Sequence, residues 1–327
     1  MTSLASSAVG ARPALARTMG SAGFQLGAIA LMAGFFIVAP LFVYPVYLMK
    51  VMCFALFACA FNLLIGYVGL LSFGHAMFLG VAGYAAGHAA KIWGFSPELA
   101  VLFGVACAAL LGLLTGLLAI RRQGIYFAMI TLAVAQMVYF LLLQAPFTGG
   151  ENGLQAVPRG RLFGLIDLEG TTAMYCFVLA IFLGGFWLVW RIVHSPFGQI
   201  LKAIRENEPR AISLGYEVDR YKLLAFVLSA ALAGAAGATK VLVFQLAALP
   251  DAHWSTSGEV VLMTLLGGLG TLLGPVVGAG VTVAMHNWLA HIDAWVMVIQ
   301  GVIFMVCVLA FRRGLVGELA HRLRRSL

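Results

Sequence analysis

Apolar runs of about 20 residues, each closed by a short polar or glycine-rich interruption, repeat along almost the whole of this chain. A run of that length matches the span of a hydrocarbon core of roughly 30 Å at about 1.5 Å per helical residue. Marking each run against its interruptions predicts ten helices, at residues 25–49, 51–71, 76–92, 98–119, 124–144, 171–192, 222–247, 258–271, 274–290 and 294–311. Two joins are narrow: Leu71 to His75 between the second and third runs, and Gly270 to Pro275 between the eighth and ninth. Merging them lowers the count to eight. The runs are continuous rather than alternating in polarity, which excludes a transmembrane barrel. The expected fold is therefore all-α and polytopic, with about ten (8–10) transmembrane helices.

Composition agrees, with 62% hydrophobic and 10% charged residues and a mean hydropathy of +1.01. A soluble domain carries roughly a quarter charged residues. The net charge of +8 does not indicate nucleic acid, because the basic residues cluster beside helix ends without interleaved solvent-facing aromatics. They indicate orientation instead. With the N-terminus in the cytoplasm, fifteen Lys and Arg residues fall inside and only Lys50, Lys91, Arg159 and Arg161 outside, with Lys240 left within a helix. Both termini and the 193–221 loop are then cytoplasmic. The resulting layout is a tail over 1–24, helices one to six over 25–192, the loop, helices seven to ten over 222–311, and a basic tail over 312–327. The first run exceeds a signal-peptide core and lacks a small-residue cleavage site, so it is expected to stay as the first span. Five cysteines sit in apolar stretches without close pairs and read as small hydrophobes.

The 193–221 loop breaks the apolar pattern. Ser195-Pro196 is a helix start, with a capping side chain and a proline at the first helical position. Phe197, Ile200, Leu201 and Ile204 recur on one face, with Gln199, Lys202, Arg205 and Glu206 on the other. Pro209 prevents simple continuation, and Ala211, Ile212 and Leu214 form a second short apolar face before Gly215. Two amphipathic helices follow. Two placements suit them: flat on the lipid surface, or in a cleft on a partner.

Glycine crowds the two narrow joins: Gly66, Gly69 and Gly74 at one, and Gly267, Gly268, Gly270 and Gly274 with Pro275 at the other. Such residues either permit tight hairpins with close helix contact or mark broken helices along a substrate route. Asn62, Tyr67, Ser72 and Gln136, with Gly66, Gly69, Gly267, Gly268 and Gly270, are the candidates for that route. Asn62, Thr131 and Gln136 otherwise serve helix-to-helix hydrogen bonding. Lys240 either snorkels to the interface or meets a substrate carboxylate. His75, His88, His286 and His291 have no metal-ligand spacing and suit interfacial hydrogen bonding. All twelve acids lie in loops or near predicted helix ends, so no buried carboxylate is available to couple transport to an ion. The energy source is expected in another chain.

Several stretches together resemble a known family: Asn62 to Ala76, Arg122 to Leu132, Thr148 to Leu154, Gly198 to Gly215 and Leu265 to Pro275. They are similar, in order, to permeases of the branched-chain (hydrophobic) amino acid ABC importers of the LivM type. The resemblance implies a type II-like ABC importer permease in a bacterial inner membrane. It implies that Gly198, Lys202, Ala203, Arg205, Glu206, Asn207, Ala211, Leu214 and Gly215 belong to a coupling region on the ATPase. It also implies two ABC ATPase subunits, a second homologous permease of the LivH type and a periplasmic binding protein. No Gly-Lys pair occurs, so no phosphate-binding P-loop is present. The chain is read as no enzyme, with no cofactor of its own and with ATP and Mg on the partner subunits. A branched-chain amino acid is the expected cargo, with urea, short amides and aromatic acids as alternatives. A stand-alone carrier and a membrane enzyme are the competing classes.

Overall fold

The computed structural model describes residues 27–289, 296–310 and 314–322. The expected tail over 1–24, His291, Arg312, Arg313, Arg324 and Arg325 lie outside them. Ten apolar helices correspond to the ten predicted runs. They are α1 (Gly27–Leu41), α2 (Pro45–Val68), α3 (His75–Lys91), α4 (Pro97–Ala119), α5 (Ile125–Gln144), α6 (Thr171–Val193), α9 (Val218–Phe244), α10 (Trp254–Gly267), α11 (Gly274–Leu289) and α12 (Val296–Ala310). Between α6 and α9 lie α7 (Pro196–Glu206) and α8 (Glu208–Ser213), and α13 (Gly314–Arg322) follows α12. Among the described residues, α2, α4, α5, α6 and α9 are long and apolar enough to cross a membrane. The chain is a multi-pass membrane protein.

Boundaries shift where proline acts. The first predicted run spans Pro40 and Pro45, but the helix stops at Leu41 and α2 restarts with Pro45 as its first residue. Proline has no N–H and clashes with the preceding turn, so one continuous helix is excluded there. Lys50, expected in a connection, is therefore inside α2. Likewise α10 starts at Trp254, where the His253 ring accepts from Ser255 N–H, so Glu259 lies within a helix rather than at its end.

Helix α2 is apolar on every side because it is buried almost throughout. Around it stand α6, α9, α10 and α11. By contrast α4, α5 and α6 are buried over a third of their length or less, and α4 turns Leu102, Leu110, Leu114, Leu117 and Leu118 outward. Lipid tails are as apolar as leucine, so helix association here depends on close packing rather than on water exclusion. The buried stripe of α4 supplies it: Ala100, Gly104, Ala108, Gly112 and Gly116 recur every four residues and face α3 and α9. Facing them, α9 contributes Ala230, Gly234 and Ala238, while its Gly237 lies against α3. A methyl group added at Gly237 would stand 2.0 Å from the Leu79 carbonyl oxygen, and one at Gly112 2.5 Å from Ala230 Cβ.

The α5–α6 connection carries β1 (Leu154–Gln155), β2 (Arg161–Leu162) and β3 (Ile166–Asp167). β1 pairs antiparallel with β4 (Leu246–Ala247), just past α9, and Lys91 Nζ donates to the Gln155 carbonyl at 2.7 Å. His75, expected at an interface, is fully buried among Phe57, Phe61 and Phe78, with Nε2 3.2 Å from Ser229 Oγ. The first free amide of α3, Ala76 N–H, donates to Ser257 Oγ at 2.9 Å.

Gly237→Leu is expected to destabilise the detergent-solubilised protein by about 2 kcal/mol or more through overpacking. Gly184→Leu, whose added methylene meets open space, should leave the melting temperature within about 1 °C. Equal melting temperatures for both variants would contradict the packing described for α3 and α9.

Candidate functional site: a capped elbow joined to the glycine turns

Helix α2 does not end as an α-helix. Leu63–Val68 widens into a π-turn, a form common at functional sites, and Gly69 closes it with φ +85°. Leu70 N–H still donates to the Leu64 carbonyl at 3.3 Å, and the chain then runs as irregular backbone to Gly74 before α3 begins. A second break, at residues 268–273, separates α10 from α11, with Gly268 at φ +121° and Gly270 at φ +75°. These two breaks touch each other. Asn62, 1% exposed, donates through Nδ2 to the Thr271 carbonyl at 2.8 Å and accepts at Oδ1 from Gly270 N–H at 3.0 Å. A methyl group at Gly66 would lie 2.4 Å from Asn62 Oδ1 and 2.8 Å from Gly270 N. Hairpin-type closeness is also present, since a methyl at Gly267 would meet the Gly274 carbonyl oxygen at 1.9 Å.

Onto this joint sits α7. Ser195 Oγ accepts from Gly198 N–H at 3.3 Å, and Asn207 Oδ1 accepts from Arg210 N–H at 3.1 Å, so each short helix has its own cap. Ile204, Ala211 and Val218 form a small cluster with Ile200 and Tyr221, which turns the apolar faces of α7 and α8 toward α9. Gly198 presses against the end of α6, where a methyl would stand 2.4 Å from the Val193 carbonyl. Arg205 leans back, its Nη1 donating to the Gly66 carbonyl. Lys202 Nζ lies 5.6 Å from the centre of the Tyr67 ring, and burial there holds its ammonium below the usual lysine range.

A second joint anchors α8. Glu208 Oε1 accepts from Lys222 Nζ at 2.6 Å and from Gln123 Nε2 at 2.8 Å. The Lys222 side chain is 3% exposed and that of Glu208 21%. Lys222, expected at the loop edge, is one turn inside α9. The two joints connect α7 and α8 to α2, to the α10–α11 break, to α9 and to the α4–α5 turn.

Of the nine residues expected at the coupling region, Gly198, Lys202 and Ala211 thus turn toward this chain's own bundle, and Arg205, though exposed, reaches back to it through the Gly66 carbonyl. Ala203, Glu206, Asn207, Leu214 and Gly215 are exposed. Beside them Ile212 and Leu214 are 57% and 68% exposed, and a 540 Å³ groove runs along Gly215, Tyr216, Arg220 and Leu224. Of the residues expected along a substrate route, Asn62, Gly66, Tyr67, Gly267 and Gly270 gather at the double break. Ser72 is fully buried with an unpaired hydroxyl, and Gln136 stands half-buried on α5. Gly69 also borders a 430 Å³ apolar cavity with Phe73, Ile125, Phe127 and Leu132.

Residues 43–308 match the family described as the permease component of the branched-chain amino acid transport system. The chain belongs to that family. It is 26% identical over 288 residues to the high-affinity branched-chain amino acid permease LivM of Salmonella typhimurium, covering 81% of this chain and 68% of that one. The Escherichia coli LivM protein aligns with the same identity and coverage. The ribose import permease RbsC of Bacillus subtilis is 28% identical over 239 residues, 67% of this chain and 70% of its own. No solved structure gives a significant match. This chain is accordingly a permease component of an ABC transport system.

Sequence reasoning missed two residues that carry the joints, Gln123 and Glu208. Glu208 was legible only as a first-turn acid next to Pro209, a pattern that also suits an exposed helix start.

Asn62→Ala removes both bonds that hold the two breaks together and is expected to lower stability by about 2 kcal/mol. Gln136→Ala, at a side chain without a hydrogen bond among the described residues, should change it by less than about 0.5 kcal/mol. Thermal melting in detergent compares the two, and equal losses would contradict the joint. Glu208→Ala leaves the buried Lys222 ammonium without its counter-charge, at an expected cost of about 3 kcal/mol. Adding Lys222→Met to it should recover most of that loss, and no recovery would contradict the pairing.

Proposed function

We propose that this chain is one of two permease halves of a bacterial inner-membrane importer for branched-chain or other hydrophobic amino acids. In this reading the second half is a homologous permease of the LivH type, and two ABC ATPase subunits bind ATP and Mg. A periplasmic binding protein delivers the cargo. The elbow of α7 and α8 is the coupling element. The observation that carries the reading is the elbow itself: two individually capped short helices, held by buried joints to several helices, with Ile212 and Leu214 left outward. A helix pair lying on lipid would turn its apolar cluster to the membrane, whereas Ile204 and Ala211 turn inward against Val218.

The mechanism follows from linkage. Closure of the ATPase subunits on ATP displaces the elbow, and the joints pass that displacement to α2, α9 and the paired breaks. Only a difference in affinity between the outward- and inward-open states can shift their balance. Residues around Gly66 and Gly270 then belong to the moving part of the substrate route, with Arg205 as the link rather than a contact to the ATPase.

Ile212→Asp with Leu214→Asp is expected to abolish co-purification of the ATPase subunits, while Arg205→Ala should retain them yet lose ATP-driven uptake. Ser213→Cys, at an exposed position, should react with an impermeant maleimide only from the cytoplasmic side of oriented vesicles. Labelling from the periplasmic side would overturn the coupling role.

A further inference from the structure

At the end of the bundle opposite the elbow, the α5–α6 connection carries a hairpin that ends in apolar residues. β2 and β3 pair Arg161 with Asp167 and Leu162 with Ile166, which leaves Phe163, Gly164 and Leu165 as the turn. Turn tips are ordinarily polar, and Gly, Asn or Asp fill positions of positive φ. Here Phe163 takes φ +48° and Gly164 φ +73°. A bulky aromatic residue adopts that angle only at a steric cost. Phe163, Leu165 and Ile166 are 74%, 87% and 53% exposed, so packing within the described residues does little to offset it.

The position of this tip decides what covers it. Phe163 N–H donates to Glu98 Oε1 at 3.2 Å, and a methyl group at Gly160 would lie 3.3 Å from Pro97 Cδ. Both contacts are to the first turn of α4, a helix of 23 residues. At about 35 Å that helix is just long enough to cross a hydrocarbon core of roughly 30 Å, which sets its first turn at the membrane boundary. Leu99, next to Glu98, and Leu102, one turn on, both point outward. In the join before α4, Trp93 is half-exposed with its ring centre 5.2 Å from that of Phe103, a placement typical of aromatics at a membrane interface. The apolar tip is thus continuous with the edge of a lipid-facing surface. At the base of the hairpin, exposed Arg161 and Asp167 stand opposite each other across the strands. The unit has a polar base and an apolar end.

We propose that the β2–β3 hairpin is an interfacial anchor, whose Phe163 and Leu165 enter the lipid leaflet opposite the elbow beside the first turn of α4. Acyl chains cover the two apolar side chains, and Arg161 and Asp167 stay at the level of the headgroups. Amphipathic elements of this kind bury their apolar side about 5–10 Å into the boundary between headgroups and acyl chains. The bond from Phe163 to Glu98 then ties the anchor to α4 and fixes the depth of that helix in the membrane.

The test uses the full chain with Leu165→p-benzoyl-phenylalanine, a photoreactive residue, in nanodiscs of phosphatidylethanolamine and phosphatidylglycerol. Irradiation followed by intact-mass measurement reads phospholipid adducts. The same replacement at Leu102 reports an outward helix surface, and at Glu151, exposed elsewhere in the same connection, a surface without an anchor. The adduct yield at Leu165 is expected to approach that at Leu102 and to exceed that at Glu151 about fivefold or more. A melting temperature near that of the natural protein shows that each variant is folded, and Phe163 carries the same expectation if replacement of Leu165 disturbs the fold. A yield at the hairpin no higher than at Glu151 overturns the anchor. Irradiation in intact cells separates lipid from a docked protein. Lipid adducts at Leu165 there support the anchor, and a predominant cross-link to another polypeptide overturns it.

Discussion

A peptide group released from helical pairing inside a membrane has no water to turn to, and this chain releases several at two places. The π-turn and glycine run after Asn62 free the Gly66 carbonyl, and the break after Gly267 frees the Gly270 N–H and the Thr271 carbonyl. Each left bare would cost several kcal/mol in hydrocarbon. Three contacts satisfy them: Asn62 donates to one, accepts from another, and Arg205 reaches the third from outside the bundle. The last contact is the consequential one. An irregular backbone segment is stabilised by a side chain of α7, so α7 cannot move without altering the hydrogen bonding of the break. The elbow and the paired breaks are one connected structure.

Close helix packing sets the rest of the architecture. The stripe from Ala100 to Gly116 on α4 and its small partners on α9 bring backbones near enough that added methyl groups would collide. Dispersion over such close surfaces replaces the water-driven association of a soluble core. The same stripe leaves the leucines of α4 outward, where they meet lipid, so the helix is reversed relative to a soluble amphipathic helix. The apolar surface is the outside, and the small residues are the core.

Helix positions were legible because apolar run length is a strong signal, and each of the ten runs corresponds to a helix. Where the reading slipped, a local effect outweighed the apolar pattern. Pro45 opened a helix that hydropathy alone placed at residue 51, and a His253 cap started α10 early enough to enclose Glu259. The elbow was readable from Ser195-Pro196 and from the spacing of Leu201 and Ile204. Its tertiary role was not, because Arg205 looks the same in sequence whether it faces a partner or folds back on Gly66. The glycines at 66–74 and 267–274 were legible as two crowded joins, but not as partners of each other. Their contact depends on how α2, α10 and α11 pack, which spacing along the chain does not encode.

Helix α9 draws these parts together. At 27 residues it is about 40 Å long, which is enough to run from one joint to the other. Near its start Lys222 holds the elbow through Glu208, and near its end Lys240 holds the turn before α10 through Asp251. Between them Gly234 and Gly237 fit against α3 and α4 so tightly that bending within that stretch would open voids in a lipid-facing bundle. A helix packed in this way shifts as a rod rather than flexing. Under the coupling proposed for the elbow, a displacement there would reach the far end as a change in where Lys240 and Asp251 sit relative to α2. A single packed helix thus holds an ion pair near each of its ends, Lys222 with Glu208 and Lys240 with Asp251.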